Sequence, residues 1–189
     1  MKLKVITSNP GKVKEFQRSF EDMGVEMEHL HLPYDEIQTS ELEEVVRKGM
    51  DEIRSKGVND FIIDDSGLFI NALKGFPGVY SAYGQKTIGN KGILRLMEGV
   101  EDRSAVFKCC IGCDIDGRTI IVTGECPGYI LDSERGNEGF GYDPIFTHDN
   151  ERSFAEIGVE EKNVISHRGN AVALLRERLI SEGLIGPKN

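Results

Sequence analysis

The stretch Phe61-Ile62-Ile63-Asp64-Asp65-Ser66-Gly67-Leu68-Phe69 decides how the rest of the chain is read. An apolar run stops abruptly at two adjacent carboxylates, a hydroxyl and a glycine. Phe61 to Ile63 predict a short buried strand, because β-branched and aromatic side chains suit a covered, pleated surface. Gly67 predicts a sharp turn just past the strand's carboxyl end. In open α/β sheets ligands bind at that end. Two carboxylates there suit a hard cation such as Mg²⁺, or one of them a role as general base. A strand leaving the core through a solvated acidic turn accounts for the same residues, so the motif alone leaves both readings open.

Working outward, Lys2 to Thr7 predict a first strand that runs into Ser8-Asn9-Pro10-Gly11-Lys12. Val13, Phe16, Phe20 and Met23 then recur at helical spacing, with Gly24 as a stop. A strand, a tight polar turn and a helix place Thr7, Ser8, Asn9 and Lys12 at a helix N-terminus, whose free N–H groups favour an anion such as phosphate. An ordinary capped turn with an exposed lysine is the competing account. The G-x-x-x-x-G-K pattern of a Walker loop is absent. Val25 to Leu32 predict a second strand. Pro33 to Thr39 predict a loop carrying Glu36. Ser40 and Glu43 predict a capping box opening a helix along Leu42, Val45, Val46 and Ile53 that ends near Gly57.

Beyond the acidic stretch, Lys74 to Ser81 predict a connection rich in turn formers. Ile88, Ile93, Leu96 and Met97 predict a short helix stopped by Gly99. Ser104 to Asp116 and Arg118 to Ile130 predict two strands joined by a hairpin at Asp116-Gly117, which makes a purely parallel sheet untenable. The order of elements predicts a mixed α/β sheet with flanking helices. Gly136 to Pro144 set three glycines around Phe140 and Tyr142, room for a flat base to stack, with Asp143 as an acceptor for ring N–H groups. A glycine-rich loop with its aromatics tucked into the core is the alternative. Glu161 to Gly169 precede a last helix with Ser166 as N-cap and an apolar face of Ala171, Val172, Leu174, Leu175 and Leu179. His167 and Arg168 then lie in its first turn, where the helix dipole disfavours cations unless an anion or acceptor is present. Gly183 to Asn189 predict a frayed tail.

Composition narrows the classes. With 189 residues, 39% hydrophobic and 29% charged, the chain suits one sizeable core or two tightly joined lobes. A net charge of −9 argues against general nucleic-acid binding, though a local cationic cluster can still hold a nucleotide. No apolar run approaches the length of a membrane span, and no secretion signal opens the chain, so a cytoplasmic location is expected. Cys110 and Cys113 have C-x-x-C spacing, but they lie in a predicted strand. Side chains three apart on a strand face opposite ways, which favours buried thiols over a shared metal.

Taken together, these pieces resemble the inosine triphosphate pyrophosphatases, the non-canonical purine nucleotide pyrophosphatases, along nearly the whole chain. The resemblance is carried by Thr7 to Lys12 with Glu15, Glu36-Ile37, Asp64 to Leu68, Gly75 to Gly78, Phe140 to Pro144, and Glu161 to Asn163 with Ser166 to Gly169. It implies one domain of two lobes with a cleft between them, a homodimer, and Mg²⁺-dependent hydrolysis of ITP, dITP and XTP to monophosphate and pyrophosphate. By the same resemblance, Thr7, Ser8, Asn9, Pro10, Gly11 and Lys12 hold phosphates, and Glu36 and Asp65 hold the metal. Asp65 also acts as base and Ser66 contacts substrate. Phe140, Gly141, Tyr142 and Asp143 bind the base, with Lys162, His167 and Arg168 completing its pocket. Adjacent side chains on a strand face opposite ways, so with Asp65 turned toward the substrate, as the resemblance implies, Asp64 supports it from behind. The rival readings are a pyrophosphatase for pyrimidine or modified nucleotides, a non-catalytic nucleotide sensor, and, weakest, an RNA-binding module.

Overall fold

The computed structural model describes residues 1–186; the last part of the predicted frayed tail, 187–189, lies outside the described residues. Seven strands form one mixed sheet: β1 (Lys2–Ile6), β2 (Glu26–Leu30), β3 (Phe61–Ile70), β4 (Pro77–Gly78), β5 (Ser104–Ile115), β6 (Arg118–Ile130) and β7 (Phe146–Thr147). Their order is β2-β1-β3-β5-β6-β7, with β4 paired to β3 off that path. The described helices are α1 (Pro10–Phe20), α2 (Leu42–Ser55), α3 (Ser81–Thr87), α4 (Gly89–Leu96), α5 (Val159–Ile165) and α6 (His167–Ser181). The mixed α/β architecture is the one the sequence predicts.

The chain forms two compact units. The first comprises Met1–Asp65, Cys110–Gly124 and the segment from Ala171 on; the second comprises Ser66–Cys109 and Glu125–Asn170. In the first, β1 pairs in parallel with β2 and with β3, Val5 opposite His29 on one side and Ile62 on the other. Fully buried Leu3, Phe16, Phe20, Met50, Ile53, Phe61 and Ile62 contribute to its core. In the second, Leu68, Ile70, Ile93, Phe107, Ile145, Phe146 and Phe154 belong to one apolar cluster, tightened by edge contacts of Phe146 with Phe107 and Phe154 at centroid distances of 4.6 and 4.9 Å.

The main departure from expectation is in the acidic stretch. No turn follows Asp65: β3 continues, extended, through Ser66 and Gly67 to Ile70. The reason lies far along the chain, where Pro77 and Gly78 add an antiparallel partner opposite Phe69 and Leu68. Gly67 is required for close approach rather than for a turn, since a Cβ there would meet the Gly78 carbonyl oxygen at 2.3 Å. The predicted capping box does not form either. Helix α2 starts at Leu42 with Glu41 as its N-cap and no side-chain cap. Thr39 takes that place: its hydroxyl accepts from the Glu41 N–H at 3.3 Å and donates to Glu44, while Glu43 pairs with Arg47. Helix α3 and helix α5 are additional to the predicted set. On α6, Ala171, Val172, Leu175 and Leu179 are buried as predicted, but Leu174 is exposed.

The β5–β6 hairpin turns at Asp116 and Gly117, both at positive φ (48° and 71°), as that dipeptide favours. A clamp in the first unit fixes it. The buried Asp114 carboxylate accepts from Arg54 Nε at 2.7 Å and from the Asp60 N–H at 3.3 Å, and Asp60 in turn accepts from the Asp116 N–H at 3.0 Å. All four cysteines are buried on β5 and β6, and none is in a disulfide. Burial pushes the thiols of Cys110 and Cys126 up to about 11 and that of Cys113 higher still. Because the thiolate is the reactive form, none of the four is expected to react with an aromatic disulfide reagent at pH 8 until the protein is denatured. A fast native-state reading of even one thiol contradicts that account.

Candidate functional site

The predicted site residues fall into two sets, one in each unit. In the first unit, parallel pairing of β1 with β3 brings the turn after β1 level with Asp64. That turn is built by local capping: Asn9, at extended φ and ψ, caps α1 through its Oδ1, which accepts from the Gly11 N–H at 2.9 Å. Pro10 occupies the first helical position, where a missing N–H costs nothing. The Asn9 N–H donates to Thr7 Oγ1 at 3.1 Å, and His29 Nε2 lies 2.8 Å from the Thr7 carbonyl oxygen. Lys12 reaches from the first turn of α1 to β3, with Nζ 3.1 Å from Asp64 Oδ2 and 3.4 Å from the Asp64 carbonyl. Asp64 is buried and Asp65 only partly so, as opposite-facing neighbours on a strand should be.

Tyr34 feels the charge of the acids on this side of the chain. Its phenol is pushed well above the usual tyrosine range, first by burial and then by the negative charges of Asp64, Glu36 and Asp65. Three carboxylates therefore act on one hydroxyl, with Lys12 beside one of them. Oxygen donors of this kind suit Mg²⁺, which takes one or two carboxylates and keeps its remaining positions for water and phosphate oxygens. Among the described residues no group of three or more His, Cys, Asp or Glu side chains is arranged to hold a metal by itself. Tyr34 was not legible as a site residue. Its only signal is its place two residues before Glu36.

In the second unit, a short helical turn after Tyr142 folds the glycine-rich loop so that Phe140 and Tyr142 part ways. Phe140 is 44% exposed, whereas Tyr142 is 4% exposed and donates its hydroxyl to the Ser81 carbonyl at 2.7 Å. Only Phe140 thus offers a ring face, so a stacking role for Tyr142 is set aside. Asp143 is diverted as well: its buried Oδ2 accepts from Lys162 Nζ at 2.6 Å and from the Phe140 N–H at 2.9 Å. Lys162 Nζ lies 4.9 Å from the centre of the Phe140 ring, and Arg168 Cζ lies 5.9 Å from it. Arg168 Nη2 donates to Ser66 Oγ at 3.3 Å, and His167 stacks on Phe107 at 4.6 Å. Ser166 caps α6 as predicted, its Oγ accepting from the Gly169 N–H at 3.0 Å. The second unit therefore brings Ser66, Phe140, Asp143, Lys162 and Arg168 together and buries Tyr142 behind them.

A half-exposed aromatic ring edged by two buried cations, and a capped turn whose Lys12 meets the buried Asp64, come with a match over almost the whole chain: a sequence model of the Ham1 family covers residues 3–178. The chain belongs to the Ham1 family. It is 51% identical over 180 residues to the dITP/XTP pyrophosphatase of Pyrococcus horikoshii, covering 95% of this chain and 97% of that one. With the dITP/XTP pyrophosphatase of Thermococcus kodakarensis it shares 51% identity over 173 residues, or 91% and 94% of the two chains. Its fold is similar to that of the HAM1 protein of Coxiella burnetii, with a TM-score of 0.84 at 30% identity over 96% of this chain and 99% of the other.

Within this Ham1 chain the Lys162–Asp143 pair is the most exacting contact of the second set. The two buried charges compensate one another at 2.6 Å, with the Phe140 amide adding to Asp143 and the Phe140 ring lying beside Lys162, so removing one strands the other. Lys162→Met is expected to lower stability by about 3–5 kcal/mol. A pairwise replacement with Asp143→Leu, which removes both charges, is expected to recover most of that loss. Equal melting temperatures for Lys162→Met and wild type contradict the pairing.

Proposed function

We propose that this Ham1-family protein hydrolyses the non-canonical purine nucleotides ITP, dITP and XTP to the monophosphate and pyrophosphate with Mg²⁺. The observation that carries the reading is the exposed Phe140 ring with Lys162 and Arg168 at its edges. Such a ring stacks on a flat base, and cations beside it donate to a keto oxygen. The 51% identity to dITP/XTP pyrophosphatases over nearly full length supports the same substrates.

In this reading the chain's own groups divide the labour. The turn formed by Thr7, Ser8, Asn9, Pro10, Gly11 and Lys12 binds the phosphates through its hydroxyls, the main-chain N–H groups it has to offer (Pro10 has none) and the Lys12 ammonium. Glu36 and Asp65 hold Mg²⁺, which when bound neutralises charge on the leaving pyrophosphate and acidifies water. Asp65 receives the proton of the attacking water and Ser66 orients the substrate. Phe140 stacks on the base. Lys162, His167 and Arg168 supply donors that a 6-keto purine satisfies and the 6-amino group of adenine leaves unpaired, a mismatch with a large penalty. Asp143 acts through Lys162 and the Phe140 amide rather than by meeting the base. A cytoplasmic homodimer belongs to the same proposal, and sedimentation of the purified protein tests its assembly.

The deciding experiment is a substrate panel of ITP, dITP, XTP, GTP, dTTP and UTP with and without Mg²⁺, read as pyrophosphate against phosphate release. Preference for a pyrimidine, or release of single phosphate, overturns the proposal. Asp65→Asn is expected to lower turnover by more than about a hundredfold while the fold persists. Phe140→Ala is expected to raise KM for ITP about tenfold with kcat little changed, since stacking is shared by ground and transition states.

A further inference from the structure

The base-facing loop is not free-standing, and what holds it comes from a segment outside the site motifs. The Gly141 carbonyl accepts from Asn90 Nδ2 at 3.1 Å and from Gln85 Nε2 at 3.3 Å. Both donors lie on the α3–α4 segment, Gln85 within α3 and Asn90 in the first turn of α4. A carbonyl oxygen has two lone pairs, and here both are taken by side-chain amides. The arrangement leaves the other ends of those amides, Gln85 Oε1 and Asn90 Oδ1, buried with no hydrogen-bond partner. Buried acceptors left unsatisfied are uncommon in folded proteins and call for a reason. Asn90 is only 8% exposed, so its oxygen has no recourse to bulk water.

The same segment makes a third contact with the same loop. The Tyr142 hydroxyl donates to the Ser81 carbonyl at the start of α3. It fits because position 84 is glycine: a Cβ there would stand 2.9 Å from the Tyr142 oxygen. Ser81 is itself fixed, since its Oγ donates to the Gly78 carbonyl at 2.7 Å and accepts from the Leu68 N–H at 2.8 Å. Burial pushes the Tyr142 phenol up to about 12, so it stays a donor throughout the physiological range. Two successive residues of the loop are thus pinned by groups on a short helical platform tied to the sheet.

We infer that Asn90 and Gln85 are positioning residues for base recognition, two amides that set the Gly141 peptide and through it the height and tilt of the Phe140 ring. The inference rests on the reading that Phe140 stacks on the substrate base. Phe140 precedes the clamped peptide by one residue, and its own N–H is held by Asp143. The ring is therefore fixed from both sides of its backbone while its face stays open. The two amides act through the Gly141 peptide. Their effect is on how well a base fits, not on the phosphate chemistry.

The test compares ITP with ribose 5-triphosphate, which carries the same phosphates and no base, in Asn90→Ala, Gln85→Ala and the double variant. In the double variant kcat/KM for ITP is expected to fall about tenfold, mostly through KM, while that for ribose 5-triphosphate stays at the wild-type value. Equal losses on both substrates, or no loss on ITP, overturn the inference. Half-buried Gln85 supplies the variant that remains readable if Asn90→Ala does not fold. Phe140→Ala run alongside separates the two levels. A raised KM there beside a normal value in the double variant overturns the clamp alone. A normal KM in Phe140→Ala overturns the base-stacking reading and the clamp with it.

Discussion

The unbroken main-chain ladder of β3 is the constraint on which the rest depends. Because the strand does not turn after Asp65, its side chains keep a period of two through the whole acidic stretch. Asp64 is thereby buried against Lys12, and Asp65 is left partly open. A turn at Gly67 would have ended that alternation just past the acids. The short partner strand at Pro77 and Gly78 removes that freedom, and Gly67 is the residue that lets the two backbones meet.

The same economy governs the second set of residues. A loop with three glycines has little intrinsic stiffness, and every ordering contact must overcome the entropy of fixing it. Here the contacts converge on three consecutive peptides. Asp143 holds the Phe140 amide, the side-chain amides of Gln85 and Asn90 hold the Gly141 carbonyl, and the Ser81 carbonyl takes the Tyr142 hydroxyl. The carboxylate that sequence reasoning assigned to the ligand is spent on the loop and on Lys162. These contacts fix the backbone on both sides of the Phe140 ring.

Elements set by neighbouring residues were legible in the sequence. The capped turn at Asn9, the Asp116-Gly117 hairpin, the strand character of the cysteine run and the Ser166 cap all follow from local chemistry, and all stand. Features set by distant partners were not. The continuation of β3 depends on Gly78, the burial of Tyr142 on Ser81 and Gly84, and the Gly141 clamp on side chains more than fifty residues away. The failed capping box shows the same limit at short range: Ser40 and Glu43 have the right spacing, but Thr39 with Glu44 and Arg47 with Glu43 provide competing partners. For the candidate site, the family motifs named the residues that the fold then places. They did not show that Tyr142 and Asp143 act on the loop, nor that Tyr34 stands among the acids.

Hairpin tips are ordinarily where a chain tolerates added sequence, being exposed and lightly bonded. The tip at Asp116-Gly117 is an exception. Its first residue donates its N–H to Asp60, which enters β3, and Asp60 is tied through Asp114 to Arg54 near the end of α2. Lengthening this turn would pull on the root of the strand that carries the acids. For fusing a tag or a fluorescent label this hairpin tip is therefore a poor choice, because it is wired to the strand that carries Asp64 and Asp65.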